Sequence, residues 1–373
     1  MGLRVLEQLM VRSAELDVPG GDAAAGYWRA AELAARGEAL AGRTTGQRHA
    51  LSRFQAAGAF FEAQAQARTL ATAVELIEAA AAVDRRSELS AADFAESYSR
   101  RGRAVLVKSP RCLPRGWGFR QLADLCGERL INIERYDESC SEWAQMRSED
   151  HLPLAELLRR WQRGQRHGVV FDEPLAAVCP ALLAAWRWPE CLDTADLLRD
   201  FPGADVPGRD PFHAHPSLFA QPAGSRCGVH VDAFRSQFAQ SVVRGRKRWV
   251  LWQLDEADQI RYLGRRDQVR LEVHRGRRMR RQIHFETVFD GSVASLAQGD
   301  PRLSAACVEV EVGEGETIFV PGGMPHEVFN LEDCIAVSQN FIDTAHAPRS
   351  IVELRWPVPY AAAADFLSSR LAA

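Results

Sequence analysis

Two histidines and one aspartate with the spacing of a metal site occur in two separate stretches of the chain. The first stretch, GVHVD, contains His230 and Asp232. In a β-strand these two side chains would point to the same face, because successive residues alternate between faces. His326 follows far downstream in GGMPHEVFN. Two imidazoles and one carboxylate form the 2-His-1-carboxylate facial triad, which leaves coordination positions of Fe(II) open for other ligands.

A lysine on the apolar face of a predicted strand is the second feature with chemical potential. In residues 241–252 arginines occupy one face of an alternating pattern, and apolar residues share the other face with Lys247. Burying an ammonium group is costly unless an anion pairs with it. No acidic residue of this strand lies on the same face. We therefore expect a ligand carboxylate as the partner of Lys247.

A β-hairpin over residues 326–341 is the element predicted to position His326. Period-two alternation runs on both sides of the polar sequence NLED, which is a turn signal. With the turn centred on Glu332, Ser338 would lie directly opposite His326 on the same face. A second hairpin is predicted over residues 226–252, where it would hold the other two metal ligands and Lys247.

These stretches resemble the Jumonji-C (JmjC) domain, most closely its small protein-hydroxylase branch, which includes a lysyl hydroxylase with proposed arginine demethylase activity. The matching motifs are GVHVD, GRKRW, GETIFVPGG followed by a histidine, and NLEDCIAVSQNF, within roughly residues 91–345. The resemblance implies a mainly β fold with helical additions, built on a double-stranded β-helix (jelly-roll, cupin-like) core. We predict a helical N-terminal segment over 1–89, the catalytic domain over 90–345, and a C-terminal helical tail over 346–373.

The resemblance also implies an Fe(II)- and 2-oxoglutarate-dependent dioxygenase, which converts 2-oxoglutarate and O2 to succinate and CO2 while it oxidises a substrate. His230, Asp232 and His326 would be the metal-binding and catalytic residues. Lys247 would bind the distal carboxylate of 2-oxoglutarate, and Ser338 would add a hydrogen bond.

Gln240 and Asn340 are two further candidates for binding the cosubstrate. Gln240 matches a family position that is often Asn, although strand parity places it opposite Lys247 unless a bulge intervenes. Asn340 shares the predicted face of Ser338 and would support the metal ligands from behind.

The chain departs from the family pattern at three places around the expected site. Val169 stands where the lysyl-hydroxylase branch has a Tyr that contacts 2-oxoglutarate. Cys227 stands where the family usually has a Thr, and a thiol is the weaker hydrogen-bond donor. Met324 and Pro325 replace two Trp residues that often precede the distal histidine. The first two changes would weaken cosubstrate binding, and the third would reshape the substrate side of the metal.

The sequence leaves several partners and activities open. Hydroxylation of a protein side chain is the favoured activity, with hydroxylation of an RNA nucleoside or demethylation of an N-methylated histone or other protein as alternatives. An Arg-rich insertion at 261–281 would permit RNA or an acidic partner, although it equally fits a solvated face. The Ala-rich helices predicted over 24–84 would serve as a homodimer surface or as a cap on the catalytic domain. A non-catalytic cupin-like binding scaffold is the alternative of another class, against which the triad and Lys247 argue.

Composition and cysteine usage predict the cellular environment. The formal charge of −3 gives no reason to invoke nucleic acid, and the N-terminus lacks the sustained apolar core of a signal sequence or membrane span. Eight cysteines occur without a CxxC pair, which we interpret as reduced thiols rather than disulfides or a zinc site. We therefore expect an intracellular protein of the cytoplasm or nucleus. His213 and His215 lie in a proline-flanked loop that is poorly suited to hold a metal.

Overall fold

The computed structural model describes most of the chain from residue 82 onward. Side chains are described for residues 82–108, 116–140, 144–192, 195–202, 210–212, 215–253, 306–355 and 360–372. The chain divides into two compact units, one of residues 1–81 with 254–265 and another of 82–253 with 266–373. Apart from Arg265, the described residues belong to the second unit. The predicted N-terminal helices and the side chains of the Arg-rich insertion lie outside the described residues.

Two β-sheets form the core of the second unit. The larger sheet contains, in spatial order, β1 (Asp84–Arg86), β2 (Val105–Lys108), β15 (Glu316–Val320), β8 (Gln237–Arg244), β17 (Cys334–Phe341), β6 (Ser217–Gln221) and β5 (Val170–Pro174). The smaller sheet contains β14 (Cys307–Gly313), β9 (Arg246–Trp252), β16 (His326–Asn330) and β7 (Arg226–His230). Buried apolar side chains of both sheets pack into one cluster, so the sheets face each other. The predicted mainly β class is confirmed.

Shorter elements surround the two sheets. β3 (Leu130–Tyr136) and β4 (Met146–Pro153) pair with each other, and β10 (Arg265–Arg266), β11 (Leu271–His274), β12 (Arg277–Arg280) and β13 (Glu286–Thr287) lie in the insertion. The helices are α1 (Ala91–Phe94), α2 (Phe119–Cys126), α3 (Leu154–Gln162), α4 (Leu175–Val178), α5 (Pro180–Ala185), α6 (Glu190–Asp193), α7 (Ala347–Leu354) and α8 (Ala361–Ala372). A π-helical turn, Ala95–Ser99, continues α1. No helix among the described residues is both long enough and apolar enough to cross a membrane.

The two predicted hairpins are wrong. β16 pairs with β7 and β9 in the smaller sheet, whereas β17, which follows it along the chain, pairs with β6 and β8 in the larger sheet. Ser338 therefore does not lie opposite His326; its neighbours across the ladder are Ser217 and Gln240. In the same way β8 and β9 separate into different sheets. The alternation of apolar and polar residues predicts which residues of one strand share a face. It is the same when the next turn closes a hairpin and when the chain crosses to another sheet, so it does not predict the partner strand.

A disulfide contradicts the prediction that all cysteines are reduced. Cys126 at the end of α2 and Cys179 between α4 and α5 are bonded, with their Cα atoms 5.3 Å apart. Both residues are buried in one apolar cluster beneath the larger sheet, which includes Leu218 and Ile335. A pair separated by 53 residues has no spacing signature in the sequence, so only the packing of these helices reveals it.

Candidate metal centre

His230, Asp232 and His326 come together in a cavity between the two sheets. One ligand atom from each residue lies within 4.8 Å of the others, and no other such group of three occurs among the described residues. His230 ends β7 and His326 begins β16, and the two residues are partners across the antiparallel ladder. Asp232 follows two residues after His230, just beyond the strand. All three side chains are buried.

The backbone orients both imidazole rings. Nδ1 of His230 lies 2.7 Å from the carbonyl oxygen of Gly228, and Nδ1 of His326 lies 2.9 Å from that of Met324. Because a carbonyl only accepts hydrogen bonds, Nδ1 carries the proton in both rings and Nε2 is left to bind a metal. Burial lowers the pKa of His230 to about 4 and that of His326 well below its usual value. Both rings are therefore neutral, which is the form that binds metal ions.

Asp232 is a carboxylate without a cationic partner in the described part of the chain. Burial, followed by the nearby charge of Asp172, raises the pKa of Asp232 to about 8, and a hydrogen bond from Asn340 opposes this shift. A divalent cation would compensate the buried negative charge. Two neutral imidazoles and one carboxylate are the donor set of non-haem Fe(II) sites, so these residues fit that metal.

Lys247 lies on the cavity side of β9, as predicted. Its side chain is 1% exposed, and Nζ donates a hydrogen bond of 2.6 Å to Oε1 of Gln221. No carboxylate among the described residues forms a salt bridge with it, and burial lowers the pKa of Lys247. An uncompensated ammonium in the wall of a cavity is a binding point for an anionic ligand.

Gln240 and Asn340 also line this cavity. Strand parity would place Gln240 and Lys247 on opposite faces if β8 and β9 formed one hairpin. The two strands instead belong to facing sheets, so both side chains line the cavity. Asn340 donates a hydrogen bond of 2.8 Å to Ser236 and lies beside Asp232. Their roles in cosubstrate binding remain predictions.

Ser338 lies behind the cavity wall and not among the residues that line it. Its hydroxyl shares a hydrogen bond of 2.8 Å with Ser217, which in turn donates to Asp172 over 2.6 Å. The hydrogen bond from Ser338 to the cosubstrate remains a prediction.

Asp172 and His215 form a pair that the sequence analysis did not predict. Asp172 lines the cavity, and His215 Nε2 lies 3.3 Å from its Oδ1. The backbone N–H of Asn340 donates to His215 Nδ1 over 3.4 Å, so Nε2 carries the proton and donates to the carboxylate. Asp172 belongs to β5, and nothing in the sequence connects it to a histidine that lies more than 40 residues further along the chain. His213 lies outside the described residues.

The three departures from the family pattern differ in their surroundings. Cys227 lines the cavity, and burial raises the pKa of its thiol to about 12, so the sulfur is protonated. Val169 is buried in the core and exchanges backbone hydrogen bonds with Glu134. Met324 is buried next to the metal ligands and orients His326 through its carbonyl group.

Buried polar atoms without partners mark the cavity as a binding site. Three of these atoms belong to residues that line the cavity, and none has a hydrogen-bond partner among the described residues: Gln240 Oε1, Asn330 Oδ1 and Trp249 Nε1. Because buried polar atoms are normally paired, this arrangement indicates a polar ligand.

Comparison with known proteins identifies the domain that carries this cavity. Residues 217–341 match the family model described as "JmjC domain, hydroxylase". The chain contains a JmjC domain. The match spans β6 to β17 and includes the three candidate metal ligands and Lys247, and it confirms the cupin-like core expected from the sequence.

Several curated proteins are similar to part of this chain. The human "2-oxoglutarate and iron-dependent oxygenase JMJD4" is 31% identical over 131 residues, which cover 34% of this chain and 26% of the relative. The Caenorhabditis elegans "Bifunctional arginine demethylase and lysyl-hydroxylase psr-1" is 33% identical over 138 residues, or 36% of this chain and 30% of the relative. The Arabidopsis thaliana "Lysine-specific demethylase JMJ21" is 24% identical over 266 residues, or 70% of this chain and 25% of the relative. The chain thus spans between 25% and 30% of the length of these relatives.

Proposed function

We propose that this chain is an Fe(II)- and 2-oxoglutarate-dependent dioxygenase that hydroxylates a protein side chain. The observation that carries the proposal is the presence, in one cavity, of a 2-His-1-carboxylate cluster and a buried lysine without a carboxylate partner among the described residues. A metal-binding cupin that uses no anionic cosubstrate would need the first feature but not the second. With iron and 2-oxoglutarate bound, the centre would activate O2 to oxidise a substrate C–H bond, releasing succinate and CO2.

In this reaction the residues of the chain would bind and orient the iron and the cosubstrate, and they would exclude water. His230, His326 and Asp232 would hold the iron through Nε2 of each ring and a carboxylate oxygen, and the carbonyl groups behind the rings would keep them from turning. Lys247 would hold the distal carboxylate of 2-oxoglutarate from the opposite end of the cavity. Apolar lining residues, among them Phe219, would keep bulk water away from the metal.

The names of the relatives support a protein substrate. The name of psr-1 describes hydroxylation of lysine and demethylation of arginine, and that of JMJ21 describes lysine demethylation. Demethylation of an N-methyl group in a protein is therefore the second candidate for this chain. Hydroxylation of an RNA nucleoside and a homodimer formed through the N-terminal segment remain predictions from the sequence.

Turnover of the cosubstrate tests the proposal. Purified protein with Fe(II), ascorbate, O2 and 2-oxoglutarate should form succinate slowly alone and faster with a substrate peptide. Lysine peptides and N-methylated peptides, analysed by mass spectrometry, separate hydroxylation (a mass gain of one oxygen) from demethylation (loss of a methyl group with release of formaldehyde). Metal binding without 2-oxoglutarate binding or succinate formation would overturn the proposal in favour of a non-catalytic scaffold.

A further inference from the structure

Gln221 and Lys247 connect the two sheets across one end of the cavity. Gln221 ends β6 of the larger sheet, and Lys247 lies on β9 of the smaller sheet. The hydrogen bond of 2.6 Å between Lys247 Nζ and Gln221 Oε1 therefore joins opposite walls of the cavity. Both side chains are buried, with exposed fractions of 3% for Gln221 and 1% for Lys247.

The hydrogen bond fixes which way the amide of Gln221 faces. An ammonium group has donors and no acceptor, so the oxygen of the amide must face Nζ. The NH2 group is then turned away from Lys247. No described residue accepts a hydrogen bond from this NH2 group. Its nitrogen is also not one of the polar atoms that are fully buried and lack a partner. Because Gln221 lines the cavity, this NH2 group is a candidate hydrogen-bond donor to a ligand there.

The charge of Lys247 is not compensated by this contact. Gln221 is neutral, and no carboxylate among the described residues forms a salt bridge with Lys247. The cavity end thus carries one positive charge together with an amide whose two N–H donors have no acceptor among the described residues. A carboxylate is the ligand that uses both features, since it has one negative charge and two oxygens that accept hydrogen bonds.

We propose that Gln221 is a positioning residue for the distal carboxylate of the cosubstrate. Lys247 supplies the charge, the Gln221 oxygen holds the ammonium in place, and the Gln221 NH2 group donates a further hydrogen bond to the ligand. This inference rests on the proposed function, because it concerns a linear 2-oxo dicarboxylate in the same cavity. It also explains how the cavity could retain such a ligand when Val169 and Cys227 provide no hydroxyl donor.

Ligand binding with Mn(II), which holds the site without turnover, tests the inference. Calorimetry would give the Kd of 2-oxoglutarate and of 2-oxobutyrate, which lacks the distal carboxylate, for wild type and Gln221→Met. Gln221→Met should weaken 2-oxoglutarate binding about tenfold, because one hydrogen bond to a charged group is lost. It should leave the Kd of 2-oxobutyrate and of Mn(II) unchanged. Gln339→Met is the matched control, since this glutamine lies on β17 outside the cavity lining.

A second variant keeps the test decisive if Gln221→Met folds poorly. Gln221→Glu would place a carboxylate beside Lys247 and neutralise it, so 2-oxoglutarate binding should fall by at least about a hundredfold while Mn(II) still binds. Equal losses for 2-oxoglutarate and 2-oxobutyrate, or no loss in either variant, would overturn the role of Gln221 alone. Failure of the wild type to bind 2-oxoglutarate while it binds Mn(II) would instead overturn the proposed function.

Discussion

His326 and His230 lie opposite each other on the adjacent strands β16 and β7, with their ring centroids 4.3 Å apart. The backbone ladder fixes the distance between the strands, and the carbonyl groups of Met324 and Gly228 fix the rotation of the rings. Two of the three candidate ligands are thus set in place by secondary structure before any metal binds. Because the rings are already oriented, less side-chain conformational entropy is lost when a metal binds.

Replacing Asp232 tests the third ligand. Asp232→Ala removes the only carboxylate of the cluster while leaving both strands intact, so we expect the affinity for Mn(II) or Fe(II) to fall by at least about a hundredfold. Succinate formation should be lost with it, and circular dichroism should be unchanged. Glu327→Ala is the control, because Glu327 is next to His326 in β16 but outside the cavity lining. Turnover by Asp232→Ala would remove this residue from the metal site.

Replacing Lys247 should change the affinity for the cosubstrate and not the affinity for the metal. Lys247→Ala removes a charge-assisted contact worth roughly 1.5–3 kcal/mol, so the concentration of 2-oxoglutarate needed for half-maximal activity should rise about tenfold to a hundredfold. The iron requirement should stay the same. Arg248→Ala controls for the loss of one positive charge, because Arg248 is the next residue of β9 and is outside the cavity lining. An unchanged 2-oxoglutarate requirement would make Lys247 a structural residue.

His215 should stabilise the cavity wall through its two ring nitrogens. One nitrogen bonds Asp172 and the other accepts from the backbone of Asn340, while the ring stacks on Phe212 at a centroid distance of 5.7 Å. His215→Phe keeps the aromatic ring but loses both hydrogen bonds, so urea unfolding should show a free energy of unfolding lower by about 1–3 kcal/mol. The same change at the exposed His167 should alter stability by no more than about 0.5 kcal/mol. Equal stabilities of the two variants would show that the His215 hydrogen bonds contribute nothing.

The parts of the site that sequence could predict are those set within one strand. The spacing of His230 and Asp232 and the placement of Lys247 among apolar residues depend only on local alternation, and the structure agrees with both. The contacts of Ser338 and Gln221 depend on which strands become neighbours across the cavity. Alternation does not specify strand pairing, so the sequence misplaced the first residue and gave no signal for the second.

Long-range pairs explain the other differences between prediction and structure. Cys126 and Cys179 meet because two helices pack together beneath the larger sheet. His215 meets Asp172 because β6, which begins two residues after His215, pairs with β5. None of these residues has a characteristic neighbour in sequence. Their pairing follows from the fold, and it becomes predictable only once the packing of the sheets and helices is known.

Gly245 is the residue that allows the chain to cross from one sheet to the other. It lies between β8 and β9 with φ of +86°, and a Cβ atom there would lie 2.2 Å from the carbonyl oxygen of Asp333. Gly245→Ala should therefore lower the free energy of unfolding by about 1–2 kcal/mol for the left-handed backbone and by about 1–3 kcal/mol more for the steric overlap.

Gly315→Ala separates these two contributions. Gly315 has the same φ of +86°, but a Cβ atom there would meet nothing within 4 Å. It should show only the backbone loss of about 1–2 kcal/mol in urea unfolding. The excess loss in Gly245→Ala would then measure how tightly the turn from β8 to β9 packs against the turn that precedes β17. Because Lys247 follows two residues after Gly245, the same variant should also weaken 2-oxoglutarate binding, whereas Gly315→Ala should not. Equal stability losses in the two variants would contradict the close approach of Gly245 to Asp333.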